Sequence, residues 1–189
     1  TVTNVNGEIT FAPLEYEKTG VYEYEVAEVQ KVPNGYTADQ TAYTVTVTVT
    51  DNKETGKLEA SVSYGKDAEG KEREGITFAN KYQADGTTAL VKASKTVNGE
   101  AATGSQFQFT LTPKTEGDKN QAQTVTNVNG EITFAPLEYA KTGVYEYEVA
   151  EVQKVPNGYT ADQTVYTVTV TVTDNTETGK LEASVSYGK

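Results

Sequence analysis

The 189-residue chain has no cysteine, histidine, methionine or tryptophan, and Arg73 is its only arginine. Without cysteine there is no disulfide staple, no thiol redox chemistry and no thiolate metal site. Without histidine, His-based acid–base catalysis, zinc binding and haem ligation are excluded as well. Positive charge is scarce: 16 Lys and Arg stand against 27 Asp and Glu, a net charge of −11. A phosphate-binding surface needs clustered Lys and Arg, so nucleic acid and anionic bilayers are disfavoured as partners. No apolar run approaches the ~18 residues of a spanning helix, so no membrane insertion is expected in this stretch. It also carries no initiator methionine, signal peptide or sorting sequence.

What the chain does have, it has mostly twice. Residues 1–66 return as residues 124–189, offset by 123 positions, with three differences: Glu17/Ala140, Ala42/Val165 and Lys53/Thr176. Such a period is too long for a solenoid unit and close to one ordinary domain. Two complete domains of that size need about 240 residues, so the chain reads as a window on a tandem array. Residues 1–83 are expected to be the C-terminal part of one repeat, lacking its opening strands. Residues 84–88, within the small polar run Gln83-Ala-Asp-Gly-Thr-Thr88, read as a linker. Residues 89–189 are expected to be the N-terminal part of the next repeat, lacking its last strand.

Nearly every segment reads as β. Tyr43-Thr-Val-Thr-Val-Thr-Val-Thr50 alternates at period two, the pattern of a half-buried strand rich in β-formers. Further strands are expected at 7–12, 20–30, 57–64, 75–82, 89–98 and 105–112, with copies near 130–135, 143–153, 166–173 and 180–187. Asn6-Gly7, Pro33-Asn34-Gly35, Asp51-Asn52 before Gly56, and Asn98-Gly99 mark the turns. Short, regularly spaced strands of this kind argue for an all-β sandwich.

Period two also assigns faces. The inward sets are Tyr22, Tyr24, Val26 and Glu28; Ile76, Phe78, Asn80 and Tyr82; and Val91, Ala93, Lys95 and Val97. A Glu, an Asn and a Lys therefore fall in phase with the core, whereas Glu23, Glu25, Lys81 and Lys92 fall outside it. Taken singly, each is explained by a strand that twists or ends and lets the side chain reach water. Together their chemistry is complementary. Desolvation favours a neutral amine and a neutral carboxylic acid. The amine is a nucleophile, the Asn amide an electrophile, and the acid can polarise the amide and move protons. In an apolar pocket the three would form a Lys–Asn isopeptide bond with loss of ammonia.

At these residues the sequence resembles the streptococcal pilin isopeptide-linkage domain, the repeat of Gram-positive major pilins and LPxTG-anchored surface proteins. The motifs that carry the resemblance are Gly20-Val-Tyr-Glu-Tyr-Glu-Val-Ala-Glu28, Gly35-Tyr-Thr-Ala-Asp39, Tyr43-Thr-Val-Thr-Val-Thr-Val-Thr-Asp51, Leu58-Glu-Ala-Ser-Val62, Phe78-Ala-Asn80 and the strand from Val91 to Gly99. The resemblance implies an immunoglobulin-like (CnaB-like) β-sandwich whose first and last strands are joined by an autocatalytic Lys–Asn bond. It implies Lys95 as the amine, Glu28 and Glu151 as the catalytic acids, and Asn80 as the amide, with Lys92 an out-of-phase rival to Lys95. Lys95 and Asn80 would belong to different repeats and are not expected to bond to each other.

The remaining signals are weaker. Asp51-Asn52-Lys53-Glu54 and Asp67-Ala-Glu69 lack calcium-loop spacing, so no metal is expected, and no cofactor is implied. Most of the 13 tyrosines fall within strand patterns, where packing accounts for them. The expected function is a stalk or pilus-shaft repeat, extracellular and cell-wall anchored or within a pilus. It would be a structural module with single-turnover chemistry rather than an enzyme. Its partners would be neighbouring repeats and other pilin subunits or host surface ligands. The alternative is an adhesin module that binds a host glycan or protein.

Overall fold

The computed structural model describes residues Thr1–Lys189, and every regular element in it is a strand. Two compact units form: Thr1–Val32 with Ala38–Lys81, and Pro33–Thr37 with Tyr82–Lys189. In the second unit the Val/Thr alternation becomes the strand Val165–Asn175, which lies between Gly143–Glu151 and Lys180–Gly188. Gln108–Pro113 and Gln123–Thr126 extend the same antiparallel sheet to five strands. Three short ladders build the opposite layer. Thr87–Ala89 pairs with Leu137–Tyr139, Lys92–Ser94 with Glu131–Thr133, and Thr96–Val97 with Glu100–Ala101. Val91, Ile132, Phe134 and Leu137 from that layer meet Phe107, Leu111, Tyr147, Val168 and Val170 in one buried cluster. The result is an all-β sandwich.

The first unit holds the three-stranded sheet Gly20–Ala27, Ala42–Asn52 and Lys57–Ser63. Its register repeats that of the second unit: Tyr22 faces Val47 as Tyr145 faces Val170. Burial does not repeat. Ile9 and Phe11 are 42% and 51% exposed, whereas their copies Ile132 and Phe134 are each 1% exposed. The residues are identical, so the difference lies in the partner. Glu131–Thr133 is laddered to Lys92–Ser94, while Glu8 makes only a bridge to Val5. A strand is a property of a pair, and a short hairpin without a covering layer is marginal in water.

For the same reason the expected strand at 7–12 does not form, and that at 75–82 contracts to Lys81–Tyr82. The expected strand at 89–98 breaks into short pieces, with Ala93 exposed despite its inward phase.

Beneath the five-stranded sheet, Tyr147 is fully buried and its hydroxyl donates to Asp118. Tyr139 shares a 2.9 Å hydroxyl–hydroxyl bond with it, and the Asn120 amide donates to the Tyr147 oxygen at 3.3 Å. Burial pushes the Tyr139 phenol up to about 12, and burial together with the Asp118 bond pushes Tyr147 still further. Both phenols are held neutral by folding. Their contribution is therefore complete below the unfolded tyrosine value of about 10 and is lost as pH rises above it. Urea unfolding midpoints should be level up to pH ~10. Beyond that, stability should fall by about 1.4 kcal/mol per pH unit for each phenol, with phenolate absorbance from this pair appearing only on unfolding.

Candidate functional site

Each repeat delivers one glutamate inward at the end of the same strand. Burial alternates along Gly20–Ala27 in the expected phase and leads to a half-buried Glu28. Along Gly143–Glu151 the same phase buries Tyr147, Val149 and Glu151. The chain then loops out and returns at Asp39 or Asp162. A glutamine fastens the return. Gln30 Nε2 donates to the carbonyls of Glu28 and Asp39 at 3.0 and 3.1 Å, and Gln153 does the same to Glu151 and Asp162 at 2.9 and 3.1 Å. This brings the Asp39 N–H to Glu28 Oε2 at 2.7 Å, and the Asp162 N–H to Glu151 Oε2 at 2.7 Å.

In the second unit that glutamate meets the lysine. Lys95 Nζ donates to Glu151 Oε2 at 2.8 Å, with the two side chains 12% and 1% exposed. The lysine main chain is held on both sides. Its N–H donates to Gly130 O at 2.8 Å, and its carbonyl accepts from the Ala102 N–H at 3.0 Å. Gly130 follows Asn129 in a tight hairpin turn with φ of 49° and 87° at the two residues. A Cβ on Gly130 would stand 3.1 Å from the Lys95 oxygen and 3.3 Å from the Ala102 nitrogen, so only glycine seats this strand. The ammonium lies 5.0 Å from the centroid of the buried Phe107 ring. Fully buried Asn127 holds the Phe107 main chain, its Oδ1 accepting the Phe107 N–H at 2.9 Å. Glu151 Oε1 is buried with no hydrogen-bond partner.

In the first unit the same glutamate meets the asparagine. Asn80 Nδ2 donates to Glu28 Oε1 at 2.7 Å, and the Asp39 N–H reaches Asn80 Oδ1 at 3.3 Å. Asn80 itself is exposed, although Ile76 and Phe78 keep the expected inward phase. Lys92 is exposed and its side chain takes no part in either cluster.

The two clusters can be aligned through the oxygen that accepts the aspartate N–H. Oε2 takes that N–H in both repeats and also the lysine in the second. Oε1 takes the asparagine amide in the first repeat and is unpartnered in the second. Across the two repeats, equivalent carboxyls thus take an amine on one oxygen, at Glu151, and an amide on the other, at Glu28.

The aspartates at the loop return, Asp39 and Asp162, were legible only as part of the Gly-Tyr-Thr-Ala-Asp motif. Their one local signal is Asp followed two residues later by Thr, the mark of an Asx turn. That turn forms in both repeats, Thr41 N–H to Asp39 Oδ1 at 2.8 Å and Thr164 N–H to Asp162 Oδ1 at 2.9 Å. Hydrogen bonds hold both carboxyls below the usual range. They come from Thr41 and the Ala79 main chain at Asp39, and from Thr164, with a smaller pull from the Lys95 charge, at Asp162.

The profile of a family described as FctA, Spy0128-like isopeptide containing domain, matches residues 1–83 and 91–189. A pilin of Streptococcus pyogenes serotype M1 is 39% identical over 110 residues, 57% of this chain. The chain spans about 30% of that pilin's length.

Proposed function

The chain belongs to the family of Spy0128-like isopeptide containing domains, and from that premise we propose that its repeats form a load-bearing pilus shaft or stalk on a Gram-positive cell surface. Each complete repeat is closed by a Lys–Asn bond between its first and last strands. One observation carries the chemical part: equivalent glutamates hold the lysine amine on Oε2 in one repeat, at Glu151, and the asparagine amide on Oε1 in the other, at Glu28.

Joined in one repeat, those contacts would support the following reaction. A proton passes from Nζ to Oε2, leaving a neutral amine and a neutral acid. Nζ then adds to the asparagine Cγ. The Nζ–Cγ bond forms and the Cγ–Nδ2 bond breaks. Nδ2 leaves as ammonia with a proton that began on Nζ and crossed through the glutamate. Neighbouring repeats and other pilin subunits are the partners of such a shaft, and its place is extracellular.

The period places the counterpart of Asn80 beyond Lys189. Lengthening the chain by a copy of residues 67–83 therefore completes the second repeat. This lengthened chain should lose one ammonia on folding, with no enzyme or cofactor added. Lys95→Ala and Glu151→Ala should retain it, and Lys92→Ala should lose it like the parent. Intact mass spectrometry reads all four, and an unmodified parent mass would sink the cross-link.

A further inference from the structure

Asp39 makes more contacts to the reacting groups than an Asx turn requires. Its Oδ1 caps the turn at Thr41, but its Oδ2 accepts the Ala79 N–H at 2.8 Å, across 40 residues of sequence. Ala79 immediately precedes the amide-bearing Asn80. The Asp39 N–H donates both to the catalytic carboxyl, Glu28 Oε2 at 2.7 Å, and to the amide carbonyl, Asn80 Oδ1 at 3.3 Å. One residue thus grips the acid, the electrophile's oxygen and the main chain that carries the electrophile.

Comparison of the repeats separates these contacts. At Asp162 the turn to Thr164 and the contact to Glu151 Oε2 are both present without any asparagine strand. Neither therefore needs the asparagine strand; the contact that does involve it is made by the other carboxylate oxygen, Asp39 Oδ2, to the main chain next to the asparagine.

We propose that Asp162, like Asp39 in the first repeat, is a positioning residue for the cross-link. Its carboxylate Oδ2 registers the last strand so that the asparagine Cγ meets Nζ, and its own N–H stabilises the negative charge that develops on Oδ1. The inference rests on the cross-linking reading of the Glu151 site. As Nζ adds to Cγ, Oδ1 changes from a neutral carbonyl oxygen towards an oxyanion. A fixed main-chain donor already aimed at that oxygen then makes a shorter, charge-assisted bond. Strand register matters because a misplacement of about 1 Å between reacting groups can cost about a hundredfold in rate.

The test uses the lengthened chain and follows ammonia loss against time after refolding, at low temperature without denaturant. Asp162→Asn keeps an oxygen for the Thr164 turn but turns an NH2 towards the main-chain N–H that Oδ2 would accept. It should fold and cross-link at least about tenfold more slowly. Asp162→Ser keeps an acceptor for the turn, lacks the second oxygen, and carries the same test if the Asn variant does not fold. A purely structural aspartate would lower stability without slowing the reaction of folded molecules. Stability is therefore measured separately with Glu151→Ala added, where no bond can form. Parental cross-linking rates in both Asp162 variants would overturn the positioning role and leave the cross-link standing. A parent that never loses ammonia overturns both.

Discussion

Replacing Lys95 by alanine in the 189-residue chain should destabilise the second unit by about 3–5 kcal/mol, a large share of a typical domain's stability. The reason is what stays behind. The Glu151 side chain is 1% exposed, and Lys95 is the only cation it contacts. Its Oε1 already lacks a partner, so removing the ammonium leaves the buried charge with the Asp162 N–H alone. The deficit should belong mostly to the stranded carboxylate and not to the lost contact. Lys95→Met with Glu151→Gln should therefore recover at least half of it, because a neutral amide still accepts the Asp162 N–H. Urea unfolding of the parent, the single variant and the pair decides the matter. A Lys95→Ala loss under about 1 kcal/mol would mean that solvent reaches the carboxyl and that the pocket is not the dry site the chemistry needs.

That pocket was partly written in the sequence. Period two placed Glu28 and Glu151 in phase with Tyr22, Tyr24 and Val26 and their copies, because alternation on a strand is set by backbone geometry and not by distant partners. The same logic put Lys95 on the inward face and Lys92 outside it. It failed for Ala93, and it misplaced the strands at 7–12 and 75–82, because exposure there depends on which strand lies opposite. The pair Ile9 and Ile132 makes the point with identical local sequence and opposite burial. Asp39 and Asp162 stayed hidden for another reason. Their decisive contacts come from their own main-chain N–H and from a carboxylate oxygen that reaches a backbone 40 residues away. No local pattern announces either. Phe107, Asn127 and the Tyr147–Asp118 pair were equally silent, since each is recognised by what it touches across the sandwich.

Glu28 and Glu151 also explain why the fold would gain from completing its own chemistry. In the first repeat the acid's Oε1 is satisfied by the asparagine amide at 2.7 Å; in the second the corresponding atom is buried and unsatisfied. A buried acceptor without a donor costs about 1–3 kcal/mol. An asparagine strand that docks on the second repeat removes this cost at the moment it brings the electrophile to Lys95. On the proposed reading, docking and reaction geometry would be favoured by the same hydrogen bond.

The largest effect should appear under force. In the lengthened chain the proposed bond from Lys95 to the restored asparagine would close a loop of about 110 residues, which by analogy with disulfides would stabilise by about 4–5 kcal/mol. At roughly 4–5 °C per kcal/mol for a domain of this size, the parent should melt about 20 °C above Glu151→Ala. Pulling on the two ends gives a sharper contrast. With the bond in place the load passes from the first strand to the last through covalent links, and the enclosed residues cannot extend. In Glu151→Ala the load falls on the hydrogen-bonded ladders instead. Their rupture should release about 110 residues, roughly 350 Å of contour. Single-molecule stretching should therefore show a release of that length for Glu151→Ala and none for the parent, up to forces that detach the molecule. A parent that lost its ammonia yet still released this contour would place the bond somewhere other than between the first and last strands, and the shaft would have no covalent load path.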